Sequence, residues 1–251
     1  MNILIYLDNF SGHLFHDIEI IQVLFYHYKD SIINLYLHRK KEINLKNYYK
    51  IIDLINIKAK IKLIDLIDNS IDFDIIIDRN ILQHGKINKP IKNYITNFPF
   101  DKWQNNLSSK TYTKNILYAT RQNTKRRFSG ESHLYICEMI KKYGGTICDL
   151  GEYNLDKQVE ICRNHKCIIG IHGNNLSGIA WMRKFCYCIE ILPFYLKDEV
   201  YDYHCLSLSM RINYIQINCD IENRDFINGI YVLNEENKKY VKHNLKLLTS
   251  I

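Results

Sequence analysis

The sequence predicts an α/β protein made of two doubly wound domains, on three observations. Residues 115–220 alternate short apolar runs with segments of helical period, joined by short connections. Residues 1–80 do the same less regularly. Between them, residues 83–109 are polar, carry Pro90 and Pro99, and show little periodicity, as a domain boundary does. The expected division is a first domain over 1–110, a second over 111–235 and a closing helix over 236–251. Two such domains would face each other across a cleft, where ligand sites preferentially form.

Ile3 to Leu7 is the first predicted strand. After a turn, apolar residues at Leu14, Ile18, Ile21, Leu24, Phe25 and Tyr28 predict a helix, which Ser11 can cap. His13 and Asp17, four apart, share one face of that helix, while His16, adjacent to Asp17, points away from it. Two His and one Asp after a first strand suit acid–base work or substrate binding. They equally suit the polar surface of a capped helix. Ile32 to Leu37, Ile61 to Ile67 and Phe73 to Ile77 are further strands, and Ile43 to Ile57 a helix. Asp72 and Asp74 stand at a spacing that can hold a divalent ion, but an Asp-rich loop produces such a pair by chance. No metal site is assigned.

In the second half, Asn115 to Thr120 is a strand with Arg121 at its end. A basic loop follows, with Lys125, Arg126 and Arg127. The fork geometry of Arg suits phosphate oxygens, although a solvated basic loop has the same composition. Glu131 to Tyr143 is a helix with Leu134, Cys137 and Ile140 expected on its buried side, ended by Gly144 and Gly145. Thr146 to Leu150 is a strand and Leu155 to Asn164 a helix.

The stretch from Lys166 to Phe194 reads as a βαβ unit. It puts His172 at the carboxyl end of a strand and Gly173, Asn174, Asn175 and Leu176 at the start of a helix. Unpaired N–H groups and the helix dipole favour a negative ligand there, so a phosphate or diphosphate is the first candidate. The Gly and Asn residues would also serve simply to make a turn. Glu190 lies in an otherwise apolar last strand, either gripping a ligand or following a surface-facing alternation. Leu206, Leu208 and Met210 mark a further helix, Tyr214 to Ile217 a last strand, and Asn237 to Leu248 the closing helix.

Composition narrows the function classes. The chain has 251 residues, 47% hydrophobic, enough for a true core. Net charge is +7, which favours anionic partners. No block of six like charges and no aromatic platform interleaved with Lys and Arg occurs, so nucleic acid is the least favoured partner. Eight cysteines form no Cys-x-x-Cys pair and several sit in apolar runs, predicting free thiols in a reducing compartment. The N-terminus reads as neither a signal peptide nor an anchor, and no transmembrane segment is expected. Abundant Ile, Asn, Lys and Tyr with three Ala suggest A/T-rich coding bias, of the kind giant viruses carry, and with it a cytoplasmic or viral-factory location.

Four matches in order resemble one family, the first of them in two parts. His172-Gly173-Asn174-Asn175-Leu176-Ser177-Gly178 is similar to a strand running into His-Gly-Ala-Gly-Leu-Thr-Asn, and Glu190 to Pro193 to the Glu-x-x-Pro that ends its next strand. Arg121, with Arg126 to Leu134, is similar to Arg…Arg-x-x-x-Asn-Glu-x-x-Leu, Arg126 and Glu131 falling in the matching places. Asp156 to Val159 and Ser11 to Asp17 match two further segments. The family is that of the GT61-type glycosyltransferases, and the resemblance covers residues 10–220.

It implies a GT-B-like pair of Rossmann-like domains and an inverting, metal-independent enzyme. The donor would be a UDP-sugar, N-acetylglucosamine or xylose foremost, and the acceptor a hydroxyl of a glycan or protein. Arg121 and Arg126 would neutralise the leaving diphosphate, gripped also by the backbone of Gly173 to Asn175. His172 and Glu190 would contact sugar or ribose, with Glu131 and Leu176 completing the donor site. Asp17 or His13 would deprotonate the acceptor. The sequence departs from the pattern at Asn174, Asn175 and Gly130. The larger side chains would narrow the nucleotide pocket or add contacts, and Asn175 could keep the turn in left-handed backbone. A catalytically degenerate nucleotide- or glycan-binding relative is the alternative.

Overall fold

The computed structural model describes residues 2–7, 34–39, 60–64, 75–78, 114–194, 202–222 and 228–250. The chain divides into two compact units, Met1–Asn106 and Leu107–Ile251. In the first, β1 (Asn2–Leu7), β2 (Asn34–Arg39), β3 (Lys60–Ile64) and β4 (Ile75–Asp78) form one sheet in the order β3-β2-β1-β4. All three pairings are parallel, as Ile- and Leu-rich runs separated by long connections require. The helices expected around His13 and Ile43, the Asp72/Asp74 pair and the boundary over 83–109 lie outside the described residues.

The second unit begins with β5 (Lys114–Ala119), β6 (Arg127–Phe128), α1 (Gly130–Lys142) and β7 (Thr146–Cys148). After a 3-10 turn (Leu150–Glu152) come α2 (Leu155–Arg163), β8 (His165–Ile171), an eight-residue 3-10 segment (Asn174–Trp181) and β9 (Tyr187–Pro193). It closes with α3 (Asp202–Ser209), β10 (Asn213–Glu222), β11 (Ile230–Val232) and α4 (Glu235–Ser250). The sheet order is β6-β11-β10-β9-β8-β5-β7. The core of this sheet is parallel, but β10 and β11 pair antiparallel. This departs from the uniform doubly wound pattern expected, and β10 is longer than the expected Tyr214–Ile217 and is not the last strand.

β8 and β9 are buried almost throughout, as strands covered on both faces are. One face carries Ile116, Tyr118, Ile169, Ile189, Ile191 and Ile217, packed with Ile136 and Ile140 of α1 and Val241, Leu245 and Leu248 of α4. The other carries Leu117, Ile168, Cys188 and Leu192, with α2, the 3-10 segment and α3 packed around it. On β10 the alternation is plain. Ile215, Ile217, Cys219 and Ile221 serve the first face, while Tyr214, Gln216 and Asn218 fall on the second.

α1 corrects the expected register. Ser129 caps it, its Oγ accepting from the Ser132 N–H, and Gly144 at φ +66° ends it. The buried stripe is Ser132, Ile136 and Ile140, whereas Leu134 is 62% exposed and Cys137 half-buried. Ser132 takes the inward place because its Oγ also accepts from the Leu233 N–H across the sheet edge, at 2.9 Å. Leu208 of α3, expected on an apolar stripe, is likewise 49% exposed.

Candidate active site

Parallel pairing of β5 with β8, and of β8 with β9, brings three strand ends to one edge of the sheet. Arg121 follows β5 and His172 follows β8. Gly173 stands at φ +145°, backbone that other residues rarely adopt, and a Cβ there would lie 1.5 Å from the Arg121 Nη1. The guanidinium of Arg121 therefore rests directly on the Gly173 backbone. Arg126 reaches the same place, donating from Nη1 to the His172 carbonyl at 3.2 Å. Burial, and then the neighbouring Arg126 charge, lowers the Arg121 pKa from its ordinary value. Two partly buried cations beside one strand end form a setting for an anion with several oxygens.

The basic loop is locked from within. The Thr124 hydroxyl bridges the carbonyls of Arg121 and Arg126 at 3.0 and 2.6 Å. Arg127 turns back to donate to the Thr124 carbonyl, and Lys125 is exposed. The loop thus presents Arg121 and Arg126 and withdraws Arg127.

Beyond Gly173 the chain is not the α-helix expected but the 3-10 segment Asn174–Trp181. Its first turn closes when the Leu176 N–H donates to the Gly173 carbonyl at 2.8 Å, so that donor is not available to a ligand. Leu176 is fully buried, a packing residue beneath the loop. Asn175 does not take left-handed backbone; that demand falls on Gly173. The Asn175 side chain turns inward, donating from Nδ2 to the Thr120 carbonyl and, at 2.9 Å, to Asp149 Oδ1. It ties the ends of β5 and β7 to the loop after β8 instead of narrowing a pocket.

Glu190, central in β9, is 1% exposed, which rules out the surface-facing alternation. Its Oε1 lies 2.5 Å from His172 Nδ1, and its Oε2 accepts from the Tyr214 hydroxyl at 2.5 Å. A carboxylate only accepts, so the imidazole turns its Nδ1–H toward Glu190 and its Nε2 edge away. α3 covers the group: Tyr203 meets the His172 ring edge-on at 5.0 Å, and His204 stacks on Tyr214 at 4.9 Å.

Arg121, Arg126, His172, Gly173, Asn175 and Glu190 are thus brought together. Glu131 is engaged elsewhere, its carboxylate pairing with Lys238 of α4 at 2.5 Å. His13 and Asp17 lie outside the described residues. Sequence reasoning missed Tyr214 and Asp149. The alternation of Tyr214, Gln216 and Asn218 with Ile215, Ile217 and Cys219 was the available signal for the first.

The model of the family described as Glycosyltransferase 61 matches residues 12–189. The chain belongs to this glycosyltransferase family. Its reaction is accordingly the transfer of a sugar from a nucleotide-sugar donor. The match takes in Arg121, Arg126 and the His172–Leu176 loop of this glycosyltransferase and ends one residue before Glu190. Among solved structures, it is similar to the E. coli ADP-heptose lps heptosyltransferase II, with a TM-score of 0.50 and 11% identity, covering 100% of this chain and 99% of that one. That likeness shows a GT-B-like fold. No curated protein matches. Among the described residues, no cluster of three or more His, Cys, Asp or Glu could hold a metal ion. None of the described helices of this glycosyltransferase is long and apolar enough to cross a membrane.

Proposed function

We propose that this family 61 glycosyltransferase is inverting and metal-independent, moving N-acetylglucosamine or xylose from a UDP-sugar to a hydroxyl of a glycan or protein. The observation that carries the reading is the meeting of Arg121 and Arg126 at the His172–Gly173 backbone. Two guanidinium forks at a strand end suit a diphosphate, whose charge grows as the glycosidic bond to it breaks. The acceptor oxygen attacks the anomeric carbon from the opposite side. Its proton passes to a base, UDP leaves, and the configuration inverts. His172 faces the donor sugar or ribose. Glu190 acts through His172 as a positioning residue, because it is buried and already holds two donors. The first unit supplies the acceptor side, with Asp17 or His13 as the base.

Calorimetric titration with UDP in EDTA, against GDP, CDP and dTDP, tests the donor assignment. The expected result is selective UDP binding, weakened about tenfold or more in Arg126→Ala, since hydrogen bonds to charged groups are worth about 1.5–3 kcal/mol. Selectivity for another nucleotide would move the donor class. No binding at all would remove the diphosphate assignment. Loss of turnover, but not of binding, on chelation would overturn metal independence.

A further inference from the structure

Away from the arginine cluster, a cavity of about 510 Å³ runs along β10 and α4. From Asn213 to Cys219 the outer edge of β10 has no strand beside it among the described residues, since β11 pairs only with Asp220 to Glu222. The volume falls within the range of small-ligand pockets. None of the residues lining it belongs to the arginine cluster.

The lining has a distinct chemistry. It carries five amide side chains, among them Gln216, Asn218 and Asn237, together with the carboxylates of Asp220 and Glu236. Among the described residues it contains no Lys, Arg or His, in a chain of net charge +7. Among the described lining residues an anion would meet two carboxylates and no cation, which favours a neutral occupant. Some polar groups are spent internally. Gln216 Nε2 donates to Asn218 Oδ1 at 3.0 Å, and Asn234 Nδ2 to Asp220 Oδ2 at 3.1 Å. Others make no hydrogen bond among the described residues: Asn218 Nδ2, Asp220 Oδ1, the Glu236 carboxylate and the Tyr240 hydroxyl. Tyr240 and Phe194, at 54% and 59% exposed, set two aromatic rings at the rim.

Planar amides and carboxylates carry paired donors and acceptors that match adjacent hydroxyls on a ring. An exposed aromatic face packs on the apolar C–H face of such a ring. The Tyr214 hydroxyl that holds Glu190 also lies 3.4 Å from Gln216 Oε1, and Gln216 is one of the residues lining this cavity along the outer edge of β10. We propose that the groove between β10 and α4 binds a neutral oligosaccharide, with Tyr240 as the stacking face and Asn218, Asp220 and Glu236 reading hydroxyls. This goes beyond the donor-site reading and does not depend on which nucleotide the arginines hold.

The test is saturation-transfer NMR on the full chain with xylotetraose, chitotriose and maltotriose, and with sialyllactose as an anionic control. Transfer to at least one neutral sugar is expected, with its affinity falling about fivefold to tenfold in Tyr240→Ala. Tyr240→Phe should retain most of the binding. Because Tyr240 is exposed, neither variant should disturb the fold, which circular dichroism checks. UDP titration of Tyr240→Ala should match the unaltered chain, so failure of the donor site and failure of the groove are read separately. Transfer to none of the neutral sugars, equal transfer in Tyr240→Ala, or preference for sialyllactose would overturn the proposal.

Discussion

At the scale of single residues, the site rests on groups whose partners are other parts of the site. Glu190→Gln keeps the shape of the side chain but replaces an acceptor by a donor against His172 or Tyr214. Turnover is expected to fall about tenfold or more while KM for the donor changes little, with the pH profile of kcat displaced. Tyr214→Phe removes one of the two donors and should give a weaker version of the same pattern. Equal losses in kcat and thermal stability in both variants would reduce the group to a structural role. Gly173→Ala meets both a clash with Arg121 and backbone unsuited to a side chain. A cost of about 1–3 kcal/mol is expected, read in thermal unfolding, with nucleotide binding lost in calorimetry. Much of this was legible beforehand. Arg121, His172 and Glu190 stand out as polar groups at the ends or centres of apolar runs, and Arg126 as part of the basic loop that follows Arg121. Tyr214 did not, because its partner lies 24 residues away and strand register is invisible in one sequence.

At the scale of elements, the long buried strands were the readable part. β8 from Cys167 on, and β9 apart from Glu190, are apolar runs, as strands buried on both faces are. β6 has two residues and β11 three, too few for any periodicity to show. The segment after Gly173 misled for a physical reason. Its apolar residues suit helical and 3-10 windings alike, and packing decides between them. Gly178 is where that packing is tightest: a Cβ would meet Cys162 Sγ at 2.8 Å and Leu150 Cδ1 at 3.0 Å. Gly178→Ala should destabilise the second unit by about 1–3 kcal/mol. Chemical denaturation measures this, and an unchanged midpoint would show that α2 yields without cost.

At the scale of the whole molecule, the buried thiols set a limit on the alkaline side. The seven described cysteines other than Cys205 are free. Burial pushes the thiol of Cys148 up to about 11, helped by Asp149 and Glu152, and pushes those of Cys162, Cys167, Cys188 and Cys219 well above the ordinary range. The folded chain keeps these protons where the unfolded chain releases them, near pH 8.5. The unfolded state then binds fewer protons, so stability falls as pH rises. The contribution is whole below about pH 8 and declines from there through pH 11 and beyond. Thermal unfolding followed from pH 7 to 10.5 should show a falling midpoint above about 8.5, and Cys148→Ser should flatten part of the slope.

β10 imposes a rule of parity on all of this. Its odd positions belong to the core and its even positions carry the hydroxyl that fixes Glu190 and the amides that follow it. At about 3.3 Å per residue, Tyr214 and Asn218 stand about 13 Å apart on one rigid rod. Losing or gaining a single residue between them would exchange the two faces, burying amides and exposing isoleucines. Change in the reach between the two ends can therefore come only in steps of two residues, about 7 Å at a time.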